Sequence, residues 1–257
     1  MKFTKPLLML FFVILSSSFF TGCLPSLYPM GSESTLIHKP RLNKNSETEK
    51  AISVSAFGGM VSKSPTNIEH VLDGGANLDF SLRSPGGVPW LFINTGVTNA
   101  YGKLNIACND TNCENMKKSE KKNAIFRKYE NQSYAFGSVQ EYLRLGVEGH
   151  PGILVLGLSG GIQLFQDFGD FETARQELIK EEIFKGPKSK ALGQEYKTWI
   201  GLNVLDKGII NLEVSLLIYD GVTSSGLSLG YFHNNGLYTA VNLSTTAQLH
   251  IGKSFVF

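Results

Sequence analysis

The feature that most limits the possible folds of this chain is a series of segments, from Ala51 to the C-terminus, in which apolar and polar residues alternate. The clearest example is residues 209–219, where the apolar positions are Ile210, Leu212, Val214, Leu216 and Ile218 and the polar ones are Asn211, Glu213 and Ser215. Successive side chains of a β-strand point to opposite faces, whereas an α-helix repeats every 3.6 residues. The period of two therefore predicts strands with one apolar face and one polar face.

About ten such strands are predicted, with eight as the alternative number. They fall near residues 51–61, 75–83, 88–98, 133–148, 152–167, 195–205, 209–219, 225–233, 236–243 and 246–257. Every second connection is a short turn rich in Gly, Pro and Asn: 84–87, 149–152, 206–208 and 234–236. The connections between these turns are longer: 62–74, 99–132, 168–194 and 220–224. This arrangement predicts an all-β, antiparallel up-and-down β-barrel. We expect one short helix, near residues 171–184, inside a long loop.

The composition is that of a folded protein. The chain has 257 residues, of which 42% are hydrophobic, so it is long enough for one sizeable domain. Its net charge of +2 is too close to zero to indicate a nucleic-acid-binding protein. We expect no nucleic-acid partner and no cofactor.

The N-terminus has the layout of a secretory signal. Lys2 and Lys5 precede an apolar stretch at residues 7–15, and small residues lead to Cys23. The apolar stretch is too short to span a bilayer permanently. The end of the signal resembles the bacterial lipobox, which implies that residues 1–22 are removed and that Cys23 carries fatty-acyl chains such as palmitate. Leu24 after this cysteine implies export to the outer membrane.

Residues 23–50 lack an apolar period and are rich in Pro, Ser, Asn and Lys. We expect them to form the lipidated N-terminus and a flexible tether, followed by the barrel domain at 51–257.

Two further cysteines, Cys108 and Cys113, lie close together in a polar stretch of this exported chain. We expect them to form a small disulfide-closed loop. Zinc would need two more ligands, and no His or Cys lies nearby in sequence to supply them. We therefore expect no metal site.

The predicted barrel resembles bacterial outer-membrane β-barrels over most of residues 51–257. The resemblance rests on the even strand number, the alternating loop lengths and the terminal Phe257 that follows Leu249, Ile251 and Phe255 on one face, a row that Lys253 interrupts. It implies that Phe257 belongs to the signal recognised by the barrel insertion machinery, and that the protein lies in the outer membrane in contact with its lipid. Aromatic residues near predicted strand ends are expected at the membrane interfaces: Tyr101, Tyr134, Tyr196, Trp199, Tyr219, Tyr231 and Tyr238.

A membrane barrel would enclose the polar face of each strand. We expect a cluster of ionisable residues inside it, formed by Asp79, Arg83, Arg144, Glu213 and His250. Small barrels have interiors just wide enough for side chains, so these residues are expected to pair and to plug the lumen. This predicts a structural or surface-interaction role, with a possible surface ligand at loops 99–132 and 168–194; the first of these loops carries a Lys-rich run at residues 117–128.

Two alternatives remain open from sequence. The first is a soluble, lipid-tethered barrel resembling lipocalins, in which the apolar rows line a ligand cavity. The second is an outer-membrane hydrolase resembling the omptins, for which His70 and Asp73 are the nearest approach to a catalytic pair. Their spacing matches no catalytic motif, so we expect no catalytic residues and no enzymatic activity.

Overall fold

The structure, a computed structural model, describes residues 37–40, 48–60, 68–84, 87–107, 118–184, 188–204, 207–219, 222–243 and 247–257. The signal sequence, Cys23, Cys108 and Cys113 lie outside the described residues, and so does Lys117, the first residue of the Lys-rich run.

Ten strands make up the structure. They are β1 Glu49–Met60, β2 Ile68–Arg83, β3 Leu91–Ile106, β4 Ser133–Gly149, β5 Leu154–Phe168, β6 Lys190–Val204, β7 Gly208–Tyr219, β8 Val222–His233, β9 Leu237–Leu243 and β10 Ala247–Val256. Each strand pairs antiparallel with the next, and β10 pairs with β1. The sheet is therefore a closed barrel, which confirms the predicted all-β, up-and-down fold of about ten strands.

The strands are strongly tilted. Met60, the last residue of β1, pairs with the first residue of β10. Following the paired residues from β10 through each neighbouring strand to β3 leads to Leu91, which lies at the opposite end of the barrel. Tilt of this kind is what closes a sheet into a barrel.

The two ends of the barrel differ in their connections. We call the end with the turns between β2 and β3, β4 and β5, β6 and β7, and β8 and β9 the short-turn end, and the other the loop end.

Two strands extend much further towards the loop end than predicted. β2 begins at Ile68 and not near residue 75, and β3 continues to Ile106 and not to residue 98. The reason is visible in β3: Tyr101 and Lys103 point outward, whereas Leu104 and Ile106 are buried inside. The alternation thus continues beyond residue 98, but apolar residues now point inward and polar ones outward.

Two helices lie at the loop end, where one was predicted. The predicted helix is α2, Asp170–Lys180, with Phe171, Ala174 and Leu178 buried. The unpredicted one is α1, Glu120–Phe126, a seven-residue helix whose N-cap residue makes no side-chain capping bond. Its position is fixed by packing of Phe126, which is fully buried, and not by a strong sequence signal. Neither described helix is long and apolar enough to cross a membrane.

Candidate functional site in the barrel interior

The interior of the barrel is polar over the half nearest the short-turn end. The five ionisable residues predicted to lie there are all buried, with at most 7% of each residue exposed: Asp79, Arg83, Arg144, Glu213 and His250. The alternation along β2, β4, β7 and β10 brings them inside the barrel. Their ion pairs, however, are formed with residues that the sequence prediction did not include.

Three strands contribute a network at the centre. Arg144 on β4 contacts Glu195 on β6 at 2.5 Å (Nε to Oε2), and the guanidinium lies 4.3 Å from the ring centroid of Tyr142. Lys197 on β6 contacts Glu213 on β7 at 2.6 Å and Glu195 at 3.5 Å. All four charged side chains are at most 3% exposed. Alternating charges of this kind offset the cost of burying each one singly.

A second group of charges lies nearer the short-turn end. Arg83 on β2 contacts Glu148 on β4 at 3.1 Å and Glu49 on β1 at 3.4 Å. His150, in the turn after β4, places its Nε2 atom 3.0 Å from the same Glu148 carboxylate. These contacts tie β1, β2 and β4 together across the lumen.

Residues 37–40 also lie inside the barrel, against this group. His38 is 2% exposed, and its ring nitrogen Nε2 is 2.6 Å from Glu148. The neighbouring Lys39 forms an ion pair with Asp79. These four residues belong to the stretch 23–50 that was expected to form a flexible tether, and in the structure they lie inside the barrel. Residues 37–40 form no strand or helix. Contacts with charged and aromatic side chains of the lumen fix their position, and such contacts leave no apolar period in the sequence.

His250 lies apart from these ion pairs. Its ring stacks on Phe57, with centroids 5.1 Å apart, and among the described residues its Nε2 atom has no hydrogen-bond partner. Asp73, considered above with His70 as a catalytic pair, is 4% exposed and accepts a hydrogen bond of 2.8 Å from Gln248 inside the barrel. The side chain of His70, in β2, lies outside the described residues.

An apolar cluster lies at the loop end of the interior, where Asp73 and Asp167 are also buried. Both helices pack there on the inward residues of β1, β3 and β4, in a cluster that comprises Phe57, Ala100, Leu104, Ile106, Phe126, Tyr134, Phe136, Phe171, Ala174, Leu178, Ile183 and Phe184. Within the cluster α2 carries one ion pair, in which Arg175 donates from Nε to Glu172 at 2.8 Å. Burial raises the pKa of Glu172, against the opposing effect of Arg175. At the exposed edge, a hydrogen bond to Glu177 raises the pKa of Tyr129 to about 12.

A small cavity lies inside the barrel near the short-turn end. It has a volume of about 20 Å³, which is about the space of one water molecule, and lies between residues 39–40, β1 and β2. Among the described residues, no group of three His, Cys, Asp or Glu side chains is arranged to hold a metal ion.

The outer wall has the opposite polarity near the short-turn end. Leu212 on β7 is 38% exposed, and outward aliphatic residues on the other strands are similarly exposed, including Val54, Leu78, Leu143, Leu145, Leu229, Leu249 and Ile251. Leu216 belongs to the same outward row but is 7% exposed. The lipocalin-like alternative requires these rows to face an internal cavity, and that geometry is wrong for this barrel.

The predicted aromatic girdle is only partly correct. Tyr101, Tyr196 and Tyr231 point outward, and Tyr101 contacts Phe168 edge-to-face with centroids 6.0 Å apart. The other four aromatic residues are buried, at 8% exposure or less: Tyr134, Trp199, Tyr219 and Tyr238. A position near a strand end does not show whether a side chain points into the barrel or outward. This depends on whether the residue is an odd or an even position of its strand.

Polarity reverses along β3, and the same level can be identified on β4. On β3 the outward residues Leu91, Ile93 and Val97 are followed by Asn99 and Lys103, and the inward ones change from Asn94 and Thr98 to Leu104 and Ile106. On β4 the exposed Glu141, which pairs with Val97, marks the same level. The eight residue-to-residue steps from Leu91 to Asn99 cover about 20 Å of height at 3.3 Å per step and a tilt near 40°.

Comparison with known proteins finds similarity of structure alone. No protein-family model matches the chain, and no curated protein matches its sequence. Among solved structures, the outer membrane protein OprG of Pseudomonas aeruginosa matches with 10% identity over 80% of this chain and 95% of that one, at a TM-score of 0.36. An outer membrane channel of Pseudomonas putida F1 matches with 9% identity over 81% and 95% of the two chains, at 0.37. The β domain of the Bordetella autotransporter BrkA matches with 11% identity over 82% and 99%, at 0.39.

Proposed function

We propose that this protein is an outer-membrane β-barrel, anchored by lipid at Cys23, with a closed lumen and a structural or surface-interaction role. The observation that carries the proposal is the reversal of polarity along the strands. Below the level of Asn99 and Glu141 the outer wall is apolar and the interior charged, which suits acyl chains outside. Above it, on β3, Lys103 faces outward and Leu104 and Ile106 face inward, as in a barrel surrounded by water.

The height of the apolar wall supports the same proposal. Outer-membrane barrels carry an apolar band about 25 Å tall, close to the roughly 20 Å between Leu91 and Asn99. Trp90, 51% exposed, lies at the lower edge, and Tyr101 and Phe168 lie just above the upper edge. Interfacial aromatic residues favour these positions.

The position of residues 37–40 is compatible with an anchor beside the barrel. From Cys23 to Ile37 the chain advances fourteen residues, which span at most about 50 Å when extended. A lipid on Cys23 in the periplasmic leaflet is then within reach of the short-turn end, which we place in the periplasm. A cysteine with two or more acyl chains would hold this end on the membrane stably.

We place the loop end, with α1 and α2, at the cell surface, where it would meet any partner. The exposed basic residues Lys118, Lys121, Arg127 and Lys128 surround the buried Phe126 on and after α1. They favour an anionic partner at this end of loop 99–132, since the aromatic anchor holds the basic face in place.

The direct test is membrane extraction of the full chain carrying Cys23→Ala. We expect this variant to remain in the outer-membrane fraction and to need detergent for release, and to migrate differently on gels with and without heating. Wild-type protein should incorporate radiolabelled palmitate, whereas Cys23→Ala should not. Release of Cys23→Ala into aqueous buffer would show that lipid alone holds the chain on the membrane.

A further inference from the structure

Residues 37–40 are held by the barrel as a ligand is held by its binding site. They belong to no strand, and the ten-stranded ring closes through β1 and β10 without them. The side chains that contact them come from seven strands, β2 to β4 and β6 to β9. The site is therefore a property of the barrel, and the segment is a separate element placed inside it.

Three carboxylates of the barrel each contact a different group of the segment. Glu213 accepts a hydrogen bond of 2.7 Å from the backbone N–H of His38, and Glu148 lies 2.6 Å from the imidazole Nε2 atom. Asp79 pairs with the ammonium group of Lys39. Charge-assisted hydrogen bonds of this kind are about twice as strong as neutral ones and are directional.

Aromatic rings form the walls of the site. The His38 ring stacks on Trp199 at 3.7 Å between centroids and 22° between planes, and Phe92 lies 5.1 Å away. The ammonium group of Lys39 lies 5.3 Å from the ring centroid of Tyr238, a distance at which cation–π attraction is significant. Carboxylates behind aromatic walls favour cationic groups.

The remaining contacts fix the direction of the peptide. Ile37 is buried against Phe232, Tyr238 and Ala240, and Arg83 donates a hydrogen bond to the carbonyl oxygen of Lys39. The barrel thus contacts an apolar side chain, an imidazole, an ammonium group and two backbone groups in order. These contacts define a sequence preference and not only a charge preference.

We propose that this part of the lumen is a binding site for a short basic peptide, and that residues 37–40 of the same chain are its resident occupant. Such an occupant closes the short-turn end and fixes the N-terminal arm to the barrel. A basic peptide of the same pattern from another chain would compete with it. The proposal depends on the barrel interior and not on lipid anchoring or surface partners.

Trp199 provides the reporter for a test in the full-length protein. The chain has two tryptophans, and Trp90→Phe leaves Trp199 alone against His38. In this background, His38→Ala combined with Lys39→Glu removes the stacking and reverses the charge that faces Asp79. We expect acrylamide to quench Trp199 fluorescence more strongly in this variant. Lys103→Glu, a charge reversal at an exposed lysine that points outward from β3, is the matched control and should leave quenching unchanged.

The second step adds a synthetic peptide with the sequence of residues 35–42 to the same variant. We expect it to restore the protection of Trp199 at saturating concentration. A peptide with Glu at the position of Lys39 should bind at least about tenfold more weakly, because it loses one charge-assisted contact. Asp79→Asn in the barrel should reduce the difference between the two peptides.

Equal binding of the two peptides, or unchanged quenching in the segment variant, would overturn the proposal. Heat-modifiable migration on gels checks that each variant keeps the closed barrel. If the double substitution prevents folding, Lys39→Met in the same Trp90→Phe background, which removes the charge alone, gives the same readout with the same two peptides. Loss of the barrel in this milder variant also counts against the proposal, since the segment would then be part of the fold and not an exchangeable occupant.

Discussion

At the scale of single residues, the interior is shaped by glycines that face aromatic rings. Trp199 lies over Gly157 on the neighbouring strand, so close that a Cβ atom added to Gly157 would lie 2.2 Å from the indole ring. Phe92 covers Gly146 and Tyr142 covers Gly96 in the same way. Because glycine has no side chain, the aromatic ring from the neighbouring strand can lie directly against the backbone, and both fit into a narrow lumen.

The sequence predicted the strands that contain these glycines but not their pairing with aromatic residues. Trp199 was expected at a membrane interface, and no sequence pattern pairs it with Gly157. The pairing depends on the register between β5 and β6, which no local pattern encodes. The charged residues were easier to predict, because Asp79, Arg144 and Glu213 each sit opposite an apolar row on their own strand.

Replacing Gly157 by valine should therefore destabilise the barrel. The new side chain would displace Trp199 and with it the ring of His38, and overpacking of this kind costs about 1–3 kcal/mol. Gly160→Ala is the matched control on the same strand, because its Cβ would make ordinary contact at 3.6 Å with Tyr196. Guanidinium unfolding followed by circular dichroism in lipid vesicles measures both, and equal midpoints for the two variants would contradict this packing.

The buried pair of Arg144 and Glu195 gives a second prediction. Arg144→Met should lower the free energy of unfolding by about 3–5 kcal/mol, since it removes the guanidinium that faces a carboxylate only 1% exposed. Adding Glu195→Gln should recover part of the loss, because the excess negative charge is then removed and Lys197 and Glu213 remain as a neutral pair. The same unfolding measurement applies, and additive losses in the double variant would show that the two side chains are not coupled.

At the scale of elements, the two helices differ in how well the sequence predicts them. Helix α2 has an apolar face at helical spacing, Phe171, Ala174 and Leu178, and acidic residues in its first turn. Helix α1 has three charged residues among its seven, and its large apolar residues, Ile125 and Phe126, lie at its end. It forms because the barrel mouth offers these two side chains an apolar cluster, and that cluster exists only after β3 and β4 have paired.

Shortening a buried side chain of α2 should therefore reduce the local stability of the loop end and leave the barrel closed. Leu178 is fully buried in the apolar cluster, and Leu178→Ala removes contacts worth about 2–5 kcal/mol in a well-packed core. We expect faster amide hydrogen exchange in α1 and α2, with unchanged exchange in β7 to β10. Lys180→Ala, at an exposed position of the same helix, is the control. If exchange also rises throughout β7 to β10, the cap is not a separate unit.

At the scale of the whole molecule, one part of the sheet has an outer surface suited to lipid and another part has an outer surface suited to water. The period of two is the same on both sides of the level marked by Asn99 and Glu141, so the sequence pattern identifies strands throughout. What changes along β3 is the phase: apolar residues point outward below this level, whereas Leu104 and Ile106 point inward above it. The phase can be read only when the strands are aligned in register, and this is why residues 99–106 were predicted as a loop although they continue β3.

The reversal of polarity predicts that an outward-facing arginine is tolerated where water surrounds the barrel and not where lipid does. Leu212 points outward from β7 midway between the short turn and the boundary level, and an arginine at such a lipid-facing position costs about 2–4 kcal/mol. Gln166 points outward from β5 above that level, where water would surround an arginine at little cost. Leu212→Arg should therefore unfold at lower guanidinium concentration than wild type in lipid vesicles, whereas Gln166→Arg should not. A barrel surrounded by water along its whole height would accept both substitutions equally, because each replaces an exposed side chain on the outer face of a paired strand.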